Sequence, residues 1–105
     1  MRRRRRRPRV PEMAVKLRMP PVLRPQVDGE RDVEVEGATL REALDDLFAR
    51  YPGVRGHLVD DAGELNRFVN VYVENEDVRL GEGLDTTLVA GGTVRVIPAM
   101  AGGGR

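Results

Sequence analysis

A chain of 105 residues with 40% hydrophobic side chains can bury one modest core, and with two Phe, two Tyr and no Trp that core rests on Val, Leu and Met. The absence of cysteine excludes disulfides, Cys-based zinc sites and a thiol nucleophile, and no apolar run approaches the roughly 18 residues of a membrane span. The net charge of +1 hides a division, because residues 1–13 carry seven arginines against Glu12 while the remainder carries 11 basic and 16 acidic side chains.

The head, with Arg2 to Arg7 and Arg9 interrupted by proline, cannot bury apolar surface and is expected to be disordered. It lacks the apolar stretch of a secretory signal, which makes the cytoplasm the expected compartment. Met13 opens Met13-Ala14-Val15-Lys16-Leu17 at the edge of the first strand. The head therefore reads as a solvated tail, or as an extension upstream of a true start at Met13. The competing reading is an arm that holds nucleic-acid phosphates or an anionic membrane without sequence preference.

Val15, Leu17 and Met19 alternate with Lys16 and Arg18, the period of a half-buried strand, which Pro20-Pro21 ends. Leu23 to Arg31 is expected to be a loop, and Asp32-Val33-Glu34-Val35-Glu36 alternates again. Thr39 and Glu42 form a capping box, after which Leu40, Ala43, Leu44, Leu47 and Phe48 line one helical stripe. Tyr51-Pro52-Gly53 stops that helix. Val54 to Glu64 is expected to be a surface loop. It holds His57, Asp60 and Asp61, but nothing at metal-ligand spacing completes a site.

Phe68 to Val73 is the strongest strand, with Val69, Val71 and Val73 on one face and Phe68, Asn70 and Tyr72 on the other. Glu74-Asn75-Glu76 turns the chain, and Asp77-Val78-Arg79 is expected to return as a short strand. Gly81 to Leu88 is a loop with an expected helical turn at Leu84-Asp85-Thr86-Thr87. Gly91-Gly92 turns into a last strand from Thr93 to Ala99, where either Val94/Val96 or Arg95/Ile97 faces outward. Helix and strands with complementary apolar faces make a two-layer α+β domain, over residues 14–100.

The chain finishes on Ala101-Gly102-Gly103-Gly104-Arg105. Glycine has no Cβ, so residues 101–105 are expected to be a thin, mobile tail that can thread a narrow active site.

Two strands, a helix and three further strands follow the order of the β-grasp, or ubiquitin-like, fold. With Arg67-Phe68-Val69-Asn70-Val71-Tyr72-Val73, Glu74-Asn75-Glu76-Asp77-Val78-Arg79 and Val94 through Gly103, the chain resembles the sulfur carriers of the MoaD/ThiS family, closest to the CysO branch. Pro21-Val22-Leu23-Arg24-Pro25 and the helix starting at Thr39-Leu40 also fit.

The resemblance implies a mixed sheet whose last strand lies beside the first, and a terminal glycine that a partner adenylates with ATP and converts to a thiocarboxylate. The protein would be a cosubstrate with no cofactor or metal of its own, and no nucleophile–base pair in the sequence suggests an enzyme. The partners implied are an E1-like adenylating enzyme and a pyridoxal-phosphate (PLP)-dependent cysteine synthase or another sulfur acceptor. Gly103 is internal here, so a JAMM-type metallopeptidase is expected to remove Gly104-Arg105; in the other register Gly104 is the mature end. The rival readings are a small subunit of molybdopterin synthase and a ubiquitin-like modifier. Phe68, Tyr72 and Ile97 are the expected partner surface, although Phe68 has the alternative of packing under the loop after the helix.

Overall fold

The computed structural model describes residues 14–98, so the arginine head and the glycine tail from Ala101 to Arg105 lie outside the described residues. Five strands form one sheet: β1 (Ala14–Arg18), β2 (Asp32–Glu36), β3 (Val69–Val73), β4 (Glu76–Asp77) and β5 (Thr93–Pro98). Their order is β2-β1-β5-β3-β4. β5 runs parallel to β1, with Leu17 opposite Val94, and antiparallel to β3, with Val71 opposite Val96. The last strand therefore sits at the centre of a mixed sheet, as the β-grasp order requires.

One face of this sheet carries Val15, Leu17, Val33, Val35, Val69, Val71, Val73, Val94 and Val96, all buried. Helix α1 (Leu40–Arg50) covers them with Leu40, Ala43, Leu44 and Leu47. Each such side chain taken out of water contributes about 1.5–3 kcal/mol, the term that holds the two layers together. The start of α1 differs in detail from a reciprocal capping box. Thr39 Oγ1 accepts the Glu42 N–H at 3.3 Å, but Glu42 Oε1 accepts the N–H of Ala38 rather than that of Thr39, at 2.8 Å. Asp46 Oδ2 accepts the Glu36 N–H at 2.9 Å, and Arg50 donates to the Glu34 carbonyl, which fastens the helix to the sheet edge.

Several connections are more ordered than the sequence suggests. The expected loop after β1 contains a 3₁₀ helix, Pro21–Val27, because Pro21 presets its first turn while Leu23 and Val27 drop into the core. The expected loop after α1 contains a short helix α2 (Arg55–Leu58), since Val54, Leu58 and Val59 are buried. Asp60 holds the next turn by accepting the N–H groups of Ala62 and Glu64. The return strand is Glu76–Asp77, not Asp77–Arg79; Val78–Leu80 turns as a 3₁₀ helix because Asp77 caps it and Val78 is buried. The helical turn expected at Leu84–Thr87 lies one residue earlier, at Gly83–Asp85. Glu74 and Asn75 both adopt positive φ, 51° and 73°, in the tight hairpin between β3 and β4, a twist that suits the flanking strands.

Candidate functional site

The uncovered face of the sheet is built by the same alternation that fills the core. Because Val69, Val71 and Val73 point toward α1, Asn70 and Tyr72 point away from it, and Phe68 precedes them in the same direction. Because Val94 and Val96 are buried, Arg95 and Ile97 face outward, which resolves what the sequence left open. Strand pairing sets Ile97 opposite Asn70 and Arg95 opposite Tyr72. Phe68, Tyr72 and Ile97 thus lie on one face, at the end of the molecule where β5 leaves the sheet. Phe68 is 57% exposed, so the loop after the helix does not cover it. Its ring lies 5.9 Å below the Arg67 guanidinium, a cation–π contact.

Sequence reasoning missed two groups of exposed side chains. Val22 and Leu80 are exposed, and Leu80 shares a surface depression with Tyr72. Neither follows the period of a strand or long helix, so only their placement marks them. The second group is a ring of arginines. Arg18 stands opposite Arg95 in the parallel β1–β5 register, and Arg24 faces them across a shallow cleft of about 380 Å³ lined also by Pro20, Pro21 and Ile97. Arg79 donates to Asn70 Oδ1 at 3.0 Å and to the Asn66 carbonyl, which holds it beside Ile97's strand partner. These four arginines are scattered along the sequence and form no run that a linear reading detects.

Two carboxylates lie beside them, Asp77, whose Oδ1 accepts the Arg79 backbone N–H at 2.9 Å, and Asp32. Asp32 Oδ1 accepts from Arg18 Nε at 3.0 Å, and Arg31 lies 3.8 Å from its other oxygen. The Arg18 hydrogen bond holds the Asp32 pKa below its ordinary value, against partial desolvation and with help from the charges of Arg18, Arg31 and Lys16. A carboxyl depressed on folding stabilises the protein above its unfolded pKa, near 4, and that contribution fades as pH falls through the folded value. Asp32→Asn is therefore expected to melt slightly lower than wild type at neutral pH. The two melting temperatures should converge in strong acid, a comparison that thermal denaturation across pH checks.

Among the described residues no cluster of His, Cys, Asp or Glu is placed to hold a metal ion, and no helix is long and apolar enough to cross a membrane. His57 is exposed on α2, and Asp60 is engaged by backbone N–H groups. The residues expected to carry chemistry, Ala101, Gly102, Gly103, Gly104 and Arg105, lie beyond Pro98 and outside the described residues.

The sequence pattern of the ThiS family matches residues 21–103. The sulfur carrier protein CysO of Mycobacterium tuberculosis is 43% identical over 93 residues, covering 87% of this chain and all of that one. Its crystal structure superposes with a TM-score of 0.76 at 41% identity, covering 81% of this chain and 98% of that one. A chain of the Amycolatopsis orientalis BexX/CysO complex gives 0.79 at 43% identity, covering 86% of this chain and 100% of its own. Small archaeal modifier protein 1 of Haloferax volcanii is 33% identical over 81 residues, covering 74% of this chain and 88% of that one.

Proposed function

Because the chain belongs to the ThiS family, we propose that it is a sulfur carrier whose C-terminal glycine is activated by a partner enzyme and returned as a thiocarboxylate. The observation that carries this reading is its 43% identity to M. tuberculosis CysO over that carrier's whole length. The chain acts as a cosubstrate and leaves catalysis to its partners.

The chemistry follows from what a glycine carboxylate lacks. Hydroxide is a poor leaving group, so the carboxylate must first be made an acyl donor. A carboxylate oxygen attacks the α-phosphorus of ATP held by an E1-like enzyme, and pyrophosphate leaves. A sulfide sulfur then attacks the acyl carbon and AMP departs, which leaves a thiocarboxylate. The absence of a Cβ at Gly102 and Gly103 keeps both attack trajectories open. The sulfur is passed to an electrophilic acceptor, for which cysteine synthesis on a PLP enzyme is the reading favoured by the CysO likeness. The use of ATP assigns this cycle to the cytoplasm.

Gly103 carries an amide while Gly104-Arg105 remains, so the cycle begins with a peptidase of the JAMM type. Phe68, Tyr72 and Ile97 supply the apolar contact with the activating enzyme. Incubating protein that ends at Gly103 with the host's adenylating enzyme, ATP and sulfide should produce a mass gain equal to oxygen replaced by sulfur. Protein that acquires neither AMP nor sulfur under these conditions would falsify the reading.

A second reading, as a modifier joined to lysines through the same activated glycine, is favoured by the likeness to the Haloferax modifier protein. It predicts conjugates heavier than the free chain in host lysate, carrying the Gly103 carbonyl as an isopeptide.

A further inference from the structure

The arginines at the root of the tail define a charge that a tail-accepting partner has to meet. Gly103 stands five positions after Pro98. At no more than about 3.5 Å per residue, those positions span roughly 17 Å. An active site that takes the Gly103 carboxylate is therefore pressed against the body around Pro98. What the body presents there is Arg95 beside Arg18, with Arg24 across the cleft and Arg79 beside Asn70. Two carboxylates stand beside them: Asp32, which Arg18 engages, and Asp77, which lies opposite Tyr72 and accepts the Arg79 backbone N–H.

The other end of the same face has the opposite sign. Glu36 stands opposite Ala14 at the start of β1, and Glu74, in the turn that follows β3, accepts the N–H of Thr93 at the start of β5. A body that is acidic in total is thus polarised along its strands, basic where β5 ends and acidic where β1 begins.

We infer that the enzyme receiving the tail surrounds its active-site mouth with carboxylates that read Arg95, Arg18 and Arg24, and that this match, beside the apolar contact at Phe68, Tyr72 and Ile97, selects which enzymes accept the carrier. The inference rests on the carrier reading and adds a specificity determinant to it. Arg95 is its centre: it is exposed, at mid-sheet, and among the described residues it makes no ion pair. A nucleic acid is the poorer match for this surface, because the acidic end of the face repels a polyanion that continues past the arginines. Charges at such a rim act chiefly on approach and are screened within about 8 Å at physiological salt.

The test is binding of the Gly103-ended chain to the host's adenylating enzyme, without ATP, at low and physiological salt. Arg95→Glu is expected to weaken binding about ten-fold at low salt, with a smaller difference at high salt, because attraction becomes repulsion. Its melting curve should stay close to wild type, since the side chain is exposed. Arg95→Lys keeps the charge and should bind within about two-fold of wild type. Wild-type binding unchanged by salt and by Arg95→Glu overturns the inference and leaves the carrier reading standing. So does an Arg95→Lys chain as weak as Arg95→Glu, because charge is then not what is read. A wild-type chain that dimerises, and loses the dimer on Arg95→Glu, assigns the arginines to a second copy and also overturns it. A wild-type chain that does not bind at all removes the carrier reading and this inference together.

Discussion

Protein that keeps Gly104 and Arg105 is expected to form no acyl-adenylate at Gly103, whereas the same chain ending at Gly103 turns over. The difference is chemical rather than a matter of affinity. An internal Gly103 carbonyl belongs to a peptide bond and offers no carboxylate oxygen to attack phosphorus. Arg105 does have a carboxylate, but it lies two residues farther out and bears a long charged side chain where the reaction favours an acyl group without a Cβ. A chain ending at Gly104 separates the two registers. Its carboxylate is displaced by about 3.5 Å, and misplacement of even about 1 Å can slow a positioned reaction by roughly 100-fold. Pyrophosphate release measured for the three lengths gives the order. The expected ranking is Gly103 fastest, Gly104 slower by about two orders of magnitude, and Arg105 at background. Equal rates for the Gly103 and Arg105 ends would remove the need for processing, and a fastest Gly104 end would move the working glycine by one position.

Gly37→Ala is expected to be the most damaging small substitution in the body. Gly37 joins β2 to the start of α1, and a Cβ there would lie 2.8 Å from the Glu42 carbonyl carbon and closer still to the Ala43 nitrogen. Both obstacles are backbone, so no rotamer change relieves the clash. Either the first turn of α1 or the end of β2 must move. The first turn is tied down by the Thr39 and Glu42 caps and by Leu40 N–H donating to the Thr86 carbonyl at 2.9 Å. Overpacking of this kind costs about 2–3 kcal/mol. In a domain of this size that lowers the melting temperature by about 10 °C or more. Gly29→Ala is a control of a different kind, because a Cβ there meets no atom within 4 Å and the strain comes only from a φ of +81°. If Gly37→Ala melts with the wild type, the close approach at the β2–α1 crossover is not a constraint on the fold.

Most of the architecture was legible because strands and the main helix announce themselves by period. The alternation of Val33 and Val35 with charged neighbours located β2 to the residue, and the stripe from Leu40 to Phe48 located α1 and its buried side, with Phe48 only half-buried at its edge. The 3₁₀ helix at Pro21–Val27 escaped that reading because two buried residues in seven make no period. The short return strand was misplaced for a related reason. Asp77 ends the pairing with Tyr72 and also caps the turn that follows, so the register with β3, rather than local alternation, decides where the strand stops.

The covalent chemistry proposed for this chain is read from sequence alone: Gly102-Gly103 followed by Gly104-Arg105 supplies both the glycine proposed to react and the residues proposed to mask it. Local pattern likewise determined which residues are buried in β1, β2, α1 and β3. Tertiary structure alone decided the outward face of β5, because Val94/Val96 and Arg95/Ile97 are two sets of one alternation, and only packing between β1 and β3 over α1 chooses the valines for the core. It alone also gathered Arg18, Arg24, Arg79 and Arg95 around the point where β5 ends. Side-chain charge is written residue by residue, but a field belongs to positions in space, and strand pairing is what supplies them.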